Sequence, residues 1–131
     1  MKKLNGPLNG NLITNTFFPS YVGYEANINE GQCMFWAYIA YQLYAGVELW
    51  TNEDHAFVRY DGKFYDSESP NGVKRWQDLK CNARGLAYGQ IEESYIQKIS
   101  QFKSYWTEHG RKETNTWSRL YKQVRLYLKG L

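Results

Sequence analysis

The chain has 131 residues, a mass of 15.5 kDa and an 18% aromatic content, with 12 Tyr, 5 Trp and 6 Phe. One domain is expected at that length, and so many rings exclude a disordered chain; the lack of Leu-rich heptads excludes a coiled coil, and the lack of any apolar run of about 18 residues excludes a membrane span. The net charge of +3 divides unevenly: residues 1–20 carry +2, residues 21–69 carry −6 and residues 70–131 carry +7, so the two larger parts attract each other within one fold or leave a basic face for an acidic partner.

Residues 1–20 are rich in Asn, Gly and Pro and read as a loop-rich N-terminal arm, pinned to the body by Leu12, Ile13, Phe17 and Phe18. Met1 to Pro7 holds two lysines with no apolar stretch behind them, which is not the pattern of a secretory signal, and a cytoplasmic chain is expected. Residues 33–45 are apolar apart from Gln42. A helix that is apolar all round is a buried helix. Asn29-Glu30-Gly31-Gln32 signals its start as a capping pair, and Gly46 ends it.

Asp61-Gly62 is a two-residue hairpin turn, because both of its positions favour positive φ. Strands of about 55–60 and 63–68 flank it. Pro70-Asn71-Gly72 reads as a second, closing turn, and residues 73–80 as a short helical turn. Leu86 to Ile91 suits a further short strand. Residues 92–108 read as a helix ended by Gly110, with Tyr95, Ile96, Ile99, Phe102 and Trp106 at three- and four-residue spacing. In the last helix Trp117, Leu120, Val124, Tyr127, Leu128 and Leu131 form one stripe, with Arg119, Lys122, Arg125 and Lys129 mostly off it. The fold expected is α+β in one domain of residues 1–131. A buried N-terminal Cys-bearing helix packs on a small antiparallel sheet, and residues 92–131 form a helical C-terminal part.

The hairpin register brings the chemistry together. With Asp61-Gly62 as the loop, Tyr60 pairs with Lys63, Arg59 with Phe64, Val58 with Tyr65, Phe57 with Asp66 and His55 with Glu68. Paired and alternate residues share a face, so His55, Phe57, Asp66 and Glu68 lie on one side, with His55 and Asp66 as diagonal neighbours. Cys33 sits at a helix N-terminus, where the helix dipole favours thiolate. A cysteine nucleophile needs a base, and the base needs an orienting group. Cys33, His55 and Asp66 supply the three types, with Glu68 as a reserve orienter. Each also has an ordinary structural use: Cys33 as a small core residue, His55 as a strand residue, Asp66 as a turn acceptor. Cys81 reads as structural, His109 as an exposed helix-end residue, and a Cys33–Cys81 disulfide is the alternative to two free thiols.

Gly31-Gln32-Cys33-Met34-Phe35-Trp36-Ala37 resembles the start of the cysteine helix in papain-like and transglutaminase-like thiol enzymes. His55-Ala56-Phe57-Val58 and Tyr65-Asp66-Ser67 are similar to their His and Asp strands, in the same chain order. The resemblance spans about residues 27–72, and the spacing from Cys33 to His55 is shorter than in papain-like peptidases. It implies a Cys33-His55-Asp66 triad, with Asn27 and Gln32 as candidates for the side chain that steadies an oxyanion.

The function expected is that of a small thiol hydrolase or acyltransferase of peptidase, deamidase or transglutaminase type, acting on a protein or peptide. No metal and no other cofactor is implied. The alternative is a non-enzymatic interaction or inhibitor protein on the same fold, binding an acidic partner through its aromatic and basic C-terminal surfaces. Nucleic-acid binding by the last helix is a third reading. No membrane partner is expected, and the oligomeric state is left open.

Overall fold

A computed structural model describes residues 2–51, 55–80, 97–99 and 114–131. The readings at Cys81, Leu86–Ile91, Tyr95, Ile96, Phe102, Trp106, His109 and Gly110, and that of the Trp117 side chain, lie outside the described residues.

The architecture is α+β. The helices are α1 (Gly10–Phe17), α2 (Glu25–Ile28), α3 (Cys33–Leu43) and α4 (Thr114–Lys129). The strands are β1 (Glu48–Thr51), β2 (Ala56–Tyr60), β3 (Lys63–Asp66), β4 (Ser69–Val73) and β5 (Gln97–Ile99). They form one antiparallel sheet in the order β4-β3-β2-β1-β5.

The Cys-bearing helix is buried as expected, although it is the third helix of the chain and not the first. Nine of its eleven residues are buried, Tyr41 and Gln42 being the two that are not. The sheet lies against one side, and α1 and α4 pack on the others. Each large side chain so enclosed stabilises the fold by about 1.5–3 kcal/mol, which makes α3 the organiser of the core. Trp36 is 1% exposed, and its Nε1 donates to Thr14 Oγ1 at 3.1 Å, locking α3 to α1.

The N-terminal arm is more ordered than its Asn- and Gly-rich composition suggests. Asn9 Oδ1 accepts from Asn11 N and Leu12 N at 3.0 and 3.3 Å, an N-cap that starts α1. Ile13 and Phe18 are buried, and Leu12 and Phe17 pack against the core as expected. Further out, Leu4 bonds to Leu43 and Ala45 through its backbone, which fastens the arm to the end of α3.

The expected hairpin forms with the expected register: Tyr60 faces Lys63, Arg59 faces Phe64 and Val58 faces Tyr65. Asp61 and Gly62 both take positive φ, 49° and 79°. Ala56, Val58 and Tyr65 join the main core, while Phe57 and Phe64 point to the opposite face. There Leu79 covers them, together with Trp50, Val73 and Trp76.

Two further elements differ from expectation. Pro70-Asn71-Gly72 is part of edge strand β4 and not a turn, with an irregularity against β3 between Phe64 and Asp66. Proline is tolerated at a sheet edge because its missing N–H faces no partner strand. Gln97–Ile99, inside the segment read as helix, is instead a strand beside β1. A free edge on β1 offers backbone hydrogen bonds that a local helical pattern does not reveal. At the C-terminus, α4 buries Leu120 and Val124 while Tyr127 and Leu128 pack against the core; Arg119, Lys122, Arg125 and Lys129 are exposed, and so is Leu131. Among the described residues no helix is long and apolar enough to cross a membrane.

Candidate functional site

Cys33, His55 and Asp66 come together where the start of α3 meets the ends of β2 and β3. Cys33 is the first residue of α3 and is a free thiol. Its entry is shaped by Gly31, whose φ of 155° suits glycine, and by Gln32 at the N-cap position. The expected capping pair does not form. Asn29 closes α2 instead, and Gln32 caps through its carbonyl, which accepts from Phe35 N and Trp36 N at 3.1 Å each.

His55 precedes β2. Its carbonyl accepts from Thr51 Oγ1 at 2.8 Å, tying it to the end of β1. Its ring stacks on Phe57 with centroids 5.9 Å apart and planes 16° apart. Nε2 lies 3.1 Å from Asp66 Oδ2, and both side chains are buried, at 0% and 1% exposure. The diagonal juxtaposition inferred from the turn is therefore present. Asp66 is held in turn by its other oxygen: Oδ1 accepts from Glu68 N and Ser69 N at 2.9 Å each. The carboxylate thus serves the turn and the imidazole at once.

The thiol is 4% exposed, and Ala56 N donates to its sulfur at 3.5 Å. Burial pushes the Cys33 thiol up. The neighbouring His55 side chain, the charge of its ring and the Ala56 N–H pull it down, and the Asp66 charge pushes weakly up. The downward pull prevails, and the thiol lies below its ordinary 9.0. Nε2 is bonded to Asp66, so Nδ1 is the ring nitrogen that can face the sulfur.

The other sequence candidates are placed differently. Glu68, the reserve orienter, lies in the turn between β3 and β4, and its Oε1 accepts from Asn29 Nδ2 at 2.9 Å. Asn27 is an exposed residue of α2. It lines a cleft of about 400 Å³ with Glu25, Ser67, Glu68 and Lys80, and none of Cys33, His55 and Asp66 lines that cleft. Gln32 adjoins Cys33 in sequence and is half-buried.

Sequence reasoning missed two groups. The first is the backbone at the start of α3, where the opening N–H groups of a helix have no acceptor inside it. The position of Cys33 at a helix start already carried that signal. The second is Asn29, read as a cap and found instead as a buried link to Glu68; only the long-range fold brings those two together. Among the described residues no group of three or more His, Cys, Asp or Glu is arranged to hold a metal ion. No protein-family model, curated protein or solved structure matches this chain.

Proposed function

We propose that the protein is a small thiol hydrolase or acyltransferase in which Cys33 is the nucleophile, His55 the general base and acid, and Asp66 the group that orients His55. The observation that supports this reading is the buried His55 Nε2–Asp66 Oδ2 contact at 3.1 Å beside a Cys33 sulfur that accepts from Ala56 N, with the thiol drawn below its ordinary value. An enclosed cysteine that served only packing would be pushed the other way. The likeness of residues 27–72 to the papain-like and transglutaminase-like thiol enzymes supports the same reading.

The Cys33 thiolate attacks an acyl carbon, and the carbonyl π electrons move to oxygen. Backbone N–H groups at the start of α3 steady that oxyanion. The imidazolium of His55 returns its proton to the leaving nitrogen, the C–N bond breaks and a thioester remains on Cys33. His55 then takes a proton from water or an amine, which attacks the thioester and releases the acyl group as acid or amide. Asp66 orients the ring and stabilises the imidazolium.

The test is acylation by an activated peptidyl ester, followed by mass spectrometry of the intact chain. The reading expects a thioester on Cys33 in the wild type, with turnover lowered about 10²–10⁴-fold in His55→Ala. Acylation of Cys33 no faster than that of a free peptide thiol sinks it. Adding an amine separates transfer from hydrolysis.

A second reading has its own observation. Tyr121, Lys122, Arg125, Leu126 and Lys129 line an exposed groove of about 420 Å³ on α4. Leu126 is 69% exposed there, and residues 114–131 hold four basic side chains and no acidic one. This surface suits an acidic protein partner and supports the interaction-protein alternative. Loss of acidic-peptide binding in a Leu126→Ser, Arg125→Glu variant, with Cys33 unreactive in the wild type, selects it over the enzyme.

A further inference from the structure

Two features of Asn29 stand out. It is 4% exposed, yet its Oδ1 has no hydrogen-bond partner. A buried acceptor left without a donor costs folding free energy that an apolar residue of similar size would not. Stability alone therefore does not account for an asparagine here. Its other atom, Nδ2, donates to Glu68 Oε1 at 2.9 Å across 39 positions of sequence.

That bond joins the two halves of the site. On one side, Asn29 closes α2 in the short connection that leads into Cys33, and Gln32 N is bonded back to Ile28 O at 2.8 Å within the same connection. On the other side, the Glu68 backbone N–H is one of the two donors that hold Asp66 Oδ1. Ser67 Oγ adds a parallel tie by donating to Glu25 O at 2.8 Å. The turn carrying Asp66 is thereby stapled to the segment carrying Cys33. Small displacements matter in such a constellation, because proton transfer needs heavy atoms within about 2.6–3.2 Å of each other.

We propose that Asn29 is a positioning residue, whose side-chain amide holds Glu68 and so fixes the Asp66 turn against the segment that carries Cys33. The inference rests on the thiol-enzyme reading of the site. Asn29 touches none of the reacting atoms; it acts through Glu68 and Asp66 on the orientation of His55.

The test is the rate of Cys33 alkylation by iodoacetamide as a function of pH in the full chain, read by mass spectrometry. Near-ultraviolet circular dichroism reports folding of each variant. Asn29→Ala breaks the link from the buried side, and Glu68→Ala breaks it from the half-exposed side, which keeps the test open should the first variant not fold. Both are expected to move the alkylation midpoint upward, with a rate at neutral pH lowered about tenfold for each unit of movement. Glu68→Gln keeps an acceptor for Asn29 Nδ2 and removes the charge, and it is expected to keep the wild-type midpoint. A folded Asn29→Ala or Glu68→Ala with the wild-type midpoint overturns the proposal. So does a Glu68→Gln shift as large as that of Glu68→Ala, which would assign the effect to charge. A wild-type Cys33 with ordinary thiol reactivity overturns the thiol-enzyme reading and this inference together, whereas a reactive wild type with unshifted variants overturns this inference alone.

Discussion

At the scale of residues, the site is a contest between burial and partnership at one sulfur. Burial raises the Cys33 thiol, while His55 and the Ala56 N–H lower it by more. Removing the imidazole leaves burial without its main opponent. His55→Ala is therefore expected to carry the Cys33 alkylation midpoint above the ordinary 9.0, with the neutral-pH rate reduced at least about tenfold per unit moved. Asp66→Asn tests the orienting role. An amide in place of Oδ2 presents a donor or a weaker acceptor to Nε2, and loss of acyl-transfer rate of about 10²–10⁴-fold is expected with little change in the urea midpoint. The same titration has a signature in stability. The folded thiol releases its proton below 9.0 and the unfolded one near it, so between those values the unfolded chain holds more protons. Stability contributed by Cys33 is thus complete above about 9 and is lost as the pH falls through the folded value. Urea unfolding of wild type against Cys33→Ala should show the gap widening as the pH rises through that window.

At the scale of elements, the hairpin was the most legible part of the chain and α1 the least. Asp61-Gly62 states its turn outright, and because the side-chain period of a strand is two, the turn dictates which residues face each other. That is why the His55–Asp66 pairing could be read without a structure. Gly62→Ala, at a φ of 79°, is expected to destabilise the fold by about 1 kcal/mol in urea titration. By contrast α1 hides among Asn and Gly, residues that usually mark loops. Its signals are the Asn9 cap and the four-residue spacing of Ile13 and Phe17, and both become decisive only once α3 is there to pack against. The docking is close: a Cβ on Gly10 would lie 2.6 Å from Pro70 Cα and 3.0 Å from its carbonyl oxygen. Gly10→Ala should therefore lower stability by about 1–3 kcal/mol, since backbone cannot yield as a side chain can. The strand at Gln97–Ile99 was illegible for a similar reason. Its conformation comes from the partner strand β1, not from its own sequence.

At the scale of the whole molecule, aromatic rings replace the leucines of an ordinary core. Phe35, Trp36 and Tyr38 of α3 and Tyr44 at its end fill the main core, while Phe57 and Phe64 form a second layer across the sheet with Trp50 and Trp76. Ring pairs such as Phe17–Tyr127, at 5.8 Å and 66°, join α1 to α4. Leu120 and Val124 are the aliphatic side chains that α4 buries among the described residues, and they should be costly to lose. Leu120 is 3% exposed, and Leu120→Ala is expected to destabilise the chain by about 2–5 kcal/mol in urea unfolding. A cost below about 1 kcal/mol would mean that α4 is not part of the cooperative core. The core matters to the proposed chemistry because it holds α3 against the sheet, and with it Cys33 beside His55.

The proposed chemistry stands on one relation, that the His55 ring draws a buried Cys33 toward thiolate. The direct measurement is thiolate absorbance against pH, taken as the difference between wild type and Cys33→Ala so that Cys81 cancels. The account predicts a thiolate that forms with a midpoint below 9.0 and a midpoint that rises in His55→Ala. A midpoint at or above 9.0 that His55→Ala leaves in place would contradict it, and Cys33 would then be a packing residue of a buried helix.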